Sequence, residues 1–194
     1  MNILETESDR LLVAVRALLT GKGILSPDEI SARIASTDKG SPAQGARMVA
    51  RAWTDPAYRA RLLADGTAAA EEMGIMMRGM PPLGVLENTA AVHNLVVCTL
   101  CSCYPRAVLG YPPFWYKSAA YRARAVRDPR GLVGEWGTVL PDHVKLRVVD
   151  STADYRWMVL PMRPAGTEGW SAEQLAAIVR EGDMIGVTVP AVPA

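Results

Sequence analysis

Hydrophobic positions recur with helical spacing through the first third of the chain. Residues 8–20 place five apolar side chains on one face of a helix that ends at Gly21, since glycine commonly terminates helices. These side chains are Leu11, Leu12, Val15, Leu18 and Leu19. A Ser-Pro pair opens each of the next two predicted helices, at residues 26–37 and 41–53, because serine caps a helix and proline suits its first position.

A fourth helix is predicted from Asp55-Pro56 through Leu63, because a proline again opens it. Four short helices with little between them make a poor independent core. We therefore predict that residues 1–75 form a helical N-terminal arm, which packs on its own C-terminal domain and on a partner chain.

The pattern changes after residue 76, where short apolar runs favour strands. Continuous apolar character predicts strands at residues 85–86 and 95–97. Alternation with period two predicts two more at residues 144–148 and 155–159, which we expect to form a hairpin. A closing strand is predicted at residues 185–189.

Helices are interspersed among these strands. Residues 112–126 are predicted as one helix, opened by two prolines and stopped before Pro129, and residues 171–181 as another. The mixture indicates the α+β class, with an α/β metal-binding catalytic domain over residues 76–194.

Length and composition narrow the class of protein. The chain has 194 residues, of which 49% are hydrophobic, so it can bury a sizeable core. Its net charge of +1 argues against general binding to nucleic acids or membrane surfaces, and an arginine cluster at residues 122–130 is expected to be a solvated helix face. No apolar run approaches the roughly 20 residues that span a membrane, and residues 1–5 lack the features of a signal peptide. We expect a cytoplasmic protein.

All three cysteines lie within six consecutive residues, Cys98-Thr99-Leu100-Cys101-Ser102-Cys103. Ordinary packing gives no reason to gather three thiols so tightly, and thiolates are soft ligands of transition metals. The C-x-x-C-x-C spacing places three sulfurs on one tight loop, which can wrap one face of an ion and leave the opposite face open. That arrangement indicates a reactive metal site.

Three other interpretations of the cysteines stay open. A disulfide between such close neighbours would be strained and would leave one cysteine over. A structural zinc site needs a fourth ligand, for which His93 and His143 are the candidates. Three buried, inert thiols are also possible, since free cysteine is commonly buried.

Four methionines stand shortly before the cysteines, at positions 73, 76, 77 and 80. Methionine is an adaptable filler, so irregular core or interface packing is the simpler explanation. The alternative is a soft wall that lines a pocket. A copper site would lack nearby histidines.

The segments that flank the cysteines carry a wider pattern. They include Leu86-Glu87-Asn88-Thr89 upstream, and Trp115-Tyr116-Lys117-Ser118, Met158-Val159-Leu160-Pro161 and Gly166-Thr167-Glu168-Gly169-Trp170 downstream. Together with the cysteines, they resemble the α subunit of nitrile hydratases, whose metal-binding claw matches residues 98–103, here called the claw loop. The resemblance covers nearly the whole chain, is weakest over the first forty residues, and implies a layered α/β/β/α domain that carries the claw loop.

The claw loop can supply five ligands to a six-coordinate ion. They are the sulfurs of Cys98, Cys101 and Cys103 and the deprotonated backbone nitrogens of Ser102 and Cys103. Amide nitrogens give up protons only to a strongly acidic metal, which favours a trivalent ion over zinc. The sixth position stays open for water or substrate, and such an ion acts as a Lewis acid.

The family resemblance implies a low-spin Co(III) or Fe(III) ion with oxidised cysteine ligands. It implies that Cys98 stays a thiolate, that Cys101 becomes a sulfinate and that Cys103 becomes a sulfenate. We assign catalysis to Cys103, as the nucleophile, and to Cys101. Thr99 and Tyr104 match cobalt members of the family, so cobalt (Co3+) is predicted, with iron (Fe3+) as the alternative.

The resemblance also implies partners. Arginines of a β subunit hold the sulfur-bound oxygens in the family, so we expect one or more β-type subunits in a hetero-oligomer. A metallochaperone or activator protein is expected to load the metal.

Two positions depart from the family pattern. Pro105-Arg106-Ala107 stands where the family commonly has Pro-Trp-Pro, and Gly79 stands where many members carry a glutamine. Drift or a shifted alignment in a loop is one explanation. The other is a pocket reshaped for a bulky or heteroaromatic nitrile.

The leading prediction is the metal-bearing α subunit of a nitrile hydratase, which converts a nitrile and water to an amide. A thiocyanate hydrolase subunit shares the claw, and Arg106 would favour an anion, so that activity is the alternative. The non-enzymatic alternative is a zinc or redox-sensing interaction module.

Overall fold

The computed structural model describes residues 7–193, which fall into two compact units that divide between Asp38 and Lys39. The first unit consists of helices α1 (Glu7–Gly21) and α2 (Pro27–Asp38), as predicted. Reciprocal hydrogen bonds between Ser26 and Glu29 form the predicted capping box at the start of α2. The prediction about a signal peptide concerns residues 1–5, which lie outside the described residues.

Three helices open the second unit: α3 (Pro42–Thr54), α4 (Pro56–Ala64) and α5 (Gly66–Glu72). The first two were predicted, but the sequence patterns missed α5. Its cap is Asp65, whose carboxylate accepts a hydrogen bond of 3.0 Å from the backbone N–H of Ala68. A short alanine-rich helix has little amphipathic periodicity, so Asp65 was the one sequence signal from which α5 could have been predicted.

Two pairs of parallel strands form the centre of the second unit. They are β1 (Leu83–Glu87) with β4 (Arg156–Leu160), and β2 (Val92–Val97) with β3 (Lys145–Asp150). The strand positions confirm the predictions, but the predicted hairpin between β3 and β4 is wrong. The connection after β3 carries the chain to the other sheet, where β4 pairs with β1. Alternation along a strand shows which side chains share a face and leaves its pairing partner undetermined.

The remaining elements are mostly short. They are the α-helices α6 (Arg106–Leu109), α7 (Phe114–Lys117), α8 (Ala119–Arg127), α9 (Pro129–Glu135) and α10 (Ala172–Ala177), and a 3₁₀ helix (Glu181–Met184). The single helix predicted for residues 112–126 is therefore wrong, because Ser118 is extended and caps a new helix through the N–H of Tyr121. The helix predicted for residues 171–181 ends early, at Ala177.

The closing strand predicted at residues 185–189 is also wrong. Gly186 has a φ of 88°, and backbone N–H groups from Ile185 to Thr188 turn back to the carbonyl of Gly182. A Cβ on Gly186 would lie 1.9 Å from the carbonyl oxygen of Asn94. This apolar segment is thus a tight turn that packs against β2. Its β-branched residues favour a strand, so the sequence pattern did not predict the turn.

The layers of the second unit follow from these contacts. Helices α4 and α5 pack on β1, the β1–β4 pair packs on β2, and α8 and α9 cover β2 and β3 respectively. The order is α/β/β/α, which confirms the predicted fold class. The core includes Leu95, Val96 and Val97 of β2 and Met158 and Val159 of β4, all fully buried.

The first unit ends well before the predicted division at residue 75. Helices α3 to α5 contribute buried side chains such as Met48, Tyr58 and Leu62 to the same core as the strands. The functional division into an arm over residues 1–75 and a catalytic domain over residues 76–194 stays a prediction. Within residues 7–193 no helix has the length and apolar character needed to cross a bilayer.

Candidate metal centre and active site

Strand β2 leads directly into the claw loop, as predicted, since Cys98 follows its last residue. The Sγ atoms of Cys98 and Cys101 lie 3.7 Å apart, and those of Cys101 and Cys103 lie 3.4 Å apart. Cys98 and Cys103 are buried, whereas Cys101 is exposed. The three sulfurs therefore converge on one point at the surface, with one of them open to a ligand.

A carboxylate at the end of the neighbouring strand holds the loop. Asp150 is the residue of β3 that pairs with Val97, the last residue of β2. Its two carboxylate oxygens accept hydrogen bonds from the backbone N–H and the hydroxyl of Thr99, at 3.0 and 2.5 Å. Because the parallel register places this carboxylate beside the loop, the sheet fixes where the claw loop begins.

Tyr116 and Arg122 hold the loop from the helical side, and Tyr121 holds the strand that leads into it. The hydroxyl of Tyr116 donates to the carbonyl of Cys103 at 2.8 Å, and that of Tyr121 donates to Val96 at 2.6 Å. Arg122 donates to the carbonyl of Leu100 at 2.9 Å. Both phenols are buried, and their rings pack 5.5 Å apart. These contacts fix the loop backbone before any ligand arrives.

Tyr104 anchors the other end of the loop. Its buried ring packs edge-on to Tyr116, and its hydroxyl donates to a carboxylate oxygen of Glu181 at 2.6 Å. Burial raises the pKa of Tyr104 and also that of Glu181, so the phenol keeps its proton for this hydrogen bond.

The thiols differ in their electrostatic surroundings. Hydrogen bonds from the Cys103 thiol and the Ser102 backbone lower the pKa of the Cys101 thiol. Burial raises the pKa of Cys103 to about 12, its contacts with Cys101 and Cys98 add to that rise, and the positive charge of Arg156 opposes it. A bound metal ion would deprotonate coordinating thiols outright.

An open cavity of about 340 Å³ lies over the claw loop. Its walls are formed by Met77, Met80, Pro81, Leu83, Cys101, Ser102, Cys103, Tyr104, Pro105, Arg106, Ala107, Val108 and Arg156. Methionine, leucine and proline side chains make one wall apolar and polarizable, while Arg106 and Arg156 add two cations. Among the described residues, none of those that line the cavity is acidic.

The donor set fits a soft or borderline transition-metal ion. All three sulfurs lie within 4.8 Å of one another, and within residues 7–193 the cysteines form this group without a histidine or carboxylate. Ser102 lines the same cavity as Cys101 and Cys103. A tetrahedral structural zinc site needs a fourth side chain, which the loop does not have.

The histidines considered as zinc ligands lie elsewhere. His93 is buried, with its Nδ1 3.2 Å from Asn88 and its Nε2 2.8 Å from the carbonyl of Gly186, so both ring nitrogens are engaged. His143 is exposed and borders a separate cavity. The thiols are free, which leaves the disulfide interpretation without support.

The methionines divide between the two interpretations given above. Met77 and Met80 line the cavity, whereas Met73 packs against the core and lies 3.1 Å from Arg51, and Met76 is exposed. Two residues of the site were missed altogether from the sequence: Asp150 and Arg156. Both lie on strands whose pairing was mispredicted as a hairpin, and correct parallel pairing would have placed them beside the loop.

Comparison with known proteins identifies the family. The family model described as nitrile hydratase, alpha chain, matches residues 6–188. The chain belongs to this family. Among curated relatives, the alpha subunit of the low-molecular-weight cobalt-containing nitrile hydratase of Rhodococcus rhodochrous is 52% identical over 182 residues, which cover 93% of this chain and 87% of the relative.

Related enzymes of a second activity are nearly as similar. The gamma subunit of thiocyanate hydrolase from Thiobacillus thioparus is 41% identical and covers 93% of this chain and 79% of its own length. A solved thiocyanate hydrolase with partially modified cobalt centres superposes with a TM-score of 0.90 at 40% identity, over 96% of this chain and 91% of that one. An Fe-type nitrile hydratase mutant from Comamonas testosteroni gives 0.85 at 40% identity, over 96% and 94%.

Proposed function

We propose that this chain is the metal-bearing α subunit of a cobalt nitrile hydratase, which hydrates a nitrile to the amide. The observation that carries the proposal is the convergence of three free thiols, of which Cys101 and Cys103 line a cavity large enough for a small organic molecule. Membership of the nitrile hydratase family supports the reaction.

The ligands in this proposal are the sulfurs of Cys98, Cys101 and Cys103 and the backbone nitrogens of Ser102 and Cys103. When bound, a trivalent ion supplies the Lewis acidity that polarises a nitrile or acidifies water. Cobalt is favoured over iron because the alpha subunits of two relatives, at 52% and 48% identity, are described as cobalt-containing.

In this proposal the chain supplies the nucleophile for nitrile hydration from an oxidised cysteine. Cys101 as a sulfinate and Cys103 as a sulfenate carry oxygens at the cavity floor. The Cys103 oxygen adds to the nitrile carbon, the nitrile nitrogen takes up a proton, and water releases the amide and restores the sulfenate. Unmodified Cys103 in fully active protein, measured by peptide mass spectrometry, would contradict this role.

A β-type subunit completes the site in this proposal, and an activator protein loads the metal. Cys101 is exposed, and the neighbouring Leu100 keeps 84% of its surface accessible, so the loop presents an apolar, open face to a partner. The N-terminal helices, part of the arm assigned to residues 1–75, present a second such face, while residues 76–194 carry the catalysis. Unpaired thiols suit synthesis in a reducing compartment such as the cytoplasm.

The cavity supports a substrate that is larger or more polar than a simple aliphatic nitrile. Arg106 lies at the cavity wall, with its guanidinium 5.6 Å from the Tyr111 ring centroid, and Gly79 adds no side chain between Met77 and Met80. We propose a bulky or heteroaromatic nitrile, whose ring acceptors could meet a guanidinium.

Thiocyanate hydrolysis is the second candidate. Two arginines and no carboxylate line the described cavity, which suits a small anion, and the thiocyanate hydrolase relatives share the fold. A zinc or redox-sensing module is the third candidate, and elemental analysis separates it, because it requires zinc and unoxidised cysteines.

The test is a substrate comparison with the chain co-expressed with its partner subunits in cobalt medium. Acrylonitrile, a cyano-substituted heterocycle and thiocyanate are supplied at equal concentration, and amide or ammonia release is measured. Hydration of the heterocycle faster than acrylonitrile supports the proposal in full. Thiocyanate turnover without nitrile hydration would replace it with the second candidate.

A further inference from the structure

Arg106 and Tyr111 form a cation–aromatic pair beside the cavity over the claw loop. The guanidinium carbon of Arg106 lies 5.6 Å from the centroid of the Tyr111 ring, a distance at which an aromatic face attracts a cation. Arg106 lines the cavity together with Cys101 and Cys103, and both members of the pair are exposed. Tyr111 is not among the lining residues, so any influence it has on the cavity passes through Arg106.

The turn that follows α6 fixes the backbone from which the ring projects. Gly110 ends the helix with a φ of 77°, and its N–H donates to the carbonyl of Arg106 at 2.9 Å. A Cβ on Gly110 would lie 2.8 Å from the carbonyl oxygen of Gly40, so this turn packs directly against backbone. Pro112 then restricts Tyr111 to extended conformations. The ring of Tyr111 therefore stands on backbone with little freedom to move.

Arg106 is held by a ring and not by a carboxylate. The ion pairs among the described residues do not include Arg106, and no acidic residue of that part of the chain lines the cavity. A carboxylate would neutralise the guanidinium, whereas a ring attracts it through its face and leaves its N–H donors available. Ordering a long side chain when a ligand binds costs entropy, and a contact made beforehand lowers that cost.

We propose that Tyr111 is a positioning residue for substrate selection, which holds the Arg106 guanidinium where it binds an acceptor atom of the substrate remote from the nitrile carbon. The inference rests on the proposed function and narrows its substrate class to planar nitriles that carry a hydrogen-bond acceptor in the ring, such as a cyano-substituted pyridine. Tyr111 acts through Arg106 and touches none of the reacting atoms.

The test compares variants of the complex co-expressed with partner subunits in cobalt medium. Y111L removes the ring, Y111F keeps it, and R106M removes the charge and the donors at similar length. F114L removes another exposed ring, that of Phe114, as the matched control. KM and kcat are measured for cyanopyridine, for benzonitrile, which has the same ring size without the acceptor, and for acrylonitrile.

We expect Y111L to raise the KM for cyanopyridine by about 2- to 5-fold with kcat unchanged, the factor that an exposed cation–aromatic contact contributes to binding. R106M should raise that KM by about 10-fold, because it also removes a charged donor, and Y111L should add nothing in the R106M background. Y111F and F114L should match the wild type. The KM for benzonitrile and acrylonitrile should stay at the wild-type value, since neither offers a ring acceptor.

A wild-type KM for cyanopyridine in Y111L would overturn the inference, and so would an equal rise for benzonitrile or an undiminished effect of Y111L in R106M. If Y111L does not assemble, Y111Q takes its place with the same expected values. A wild-type complex that hydrates no nitrile would refute the proposed function. Calorimetric binding of pyridine carboxamide, the amide product, then tests Tyr111 separately, and equal affinity in wild type and Y111L, or no binding to either, would overturn its role.

Discussion

The claw loop and the N-terminal helices differ in how far contacts within the chain hold them. Residues 98–103 have their backbone held by Asp150, Tyr116 and Arg122, and only their outer face is open. Helix α1, by contrast, is amphipathic and keeps its apolar face uncovered, with Leu12 and Leu18 exposing 68% and 56% of their surface. One region is preorganised by its own chain, and the other has the composition of a surface that another protein covers.

The claw loop therefore depends on contacts within its own chain, whereas the face of α1 depends on a partner. Removing an anchor of a preorganised loop should impair its metal site whether or not a partner is bound. An apolar helix face loses function only when the partner cannot bind it, because the free chain gains nothing from that face. Variants in the two regions should therefore fail in different assays.

The largest effect on the metal site is expected when the double anchor of Thr99 is weakened. Asp150→Asn keeps the shape but loses the charge and one of the two accepted hydrogen bonds, so cobalt content or nitrile turnover should fall by about 10- to 100-fold. The measurement is metal analysis of the purified complex together with an amide-formation assay. Asp154→Asn, an exposed position outside the loop, is the matched control and should behave as wild type.

The helix face is tested with charged residues in α1. Leu12→Glu with Leu18→Glu should weaken association with the partner subunit by about 100-fold, because burying each leucine contributes about 1.5 kcal/mol or more. The melting temperature of the free chain should not change. Titration calorimetry gives the affinity, and Lys22→Glu, an exposed charge change just after the helix, is the control.

Equal affinity of the double variant and the wild type would show that α1 is not covered by the partner. The exposed apolar face of α1 would then need another explanation.

The anchor beneath the loop has a smaller, structural effect. Tyr121→Phe leaves the buried carbonyl of Val96 without its 2.6 Å hydrogen bond, which should cost about 1–3 kcal/mol of unfolding free energy. Urea denaturation of the apo chain measures this, with Tyr155→Phe at an exposed position as the control. An unchanged denaturation midpoint would mean that the phenol contributes packing alone.

The buried histidine predicts a pH dependence of stability. Burial lowers the pKa of His93 below its usual value of about 6.5, although its hydrogen bond to the Gly186 carbonyl opposes the shift. The unfolded chain therefore binds the proton more readily, so stability is complete above about pH 6.5 and declines by up to about 1.4 kcal/mol per pH unit as the pH falls toward the folded pKa.

Denaturation of the apo chain between pH 7 and pH 5 measures this slope. His93→Gln should flatten it, whereas His143→Gln, at an exposed position, should leave it unchanged. A slope that persists in His93→Gln would assign the pH dependence to other groups.

The sequence was informative where chemistry is local. Cys98, Cys101 and Cys103 are neighbours along the chain, so their convergence could be predicted from spacing alone, and β2 with its apolar run was found from composition. Helices opened by a serine or aspartate and a proline were found by their caps, as at Ser26 and Asp55.

The site residues that were not predicted from the sequence depend on how the strands pair. Asp150 and Arg156 reach the site only because β3 lies parallel to β2 and β4 lies parallel to β1. A period-two pattern is the same in a hairpin and in a crossover, so the hairpin was the wrong choice and both residues were overlooked. The turn at Gly186 was likewise missed, since the Asn94 carbonyl that requires glycine there is 92 positions away along the chain.

The most direct test of the account is the metal content of the purified complex, with the chain and its partner subunits co-expressed in cobalt medium. The claw loop predicts about one cobalt per chain, with its loss in Cys101→Ser, since thiolate sulfur selects soft transition metals. Zinc in place of cobalt, or three titratable thiols without metal, would contradict the hydratase site and favour an interaction module.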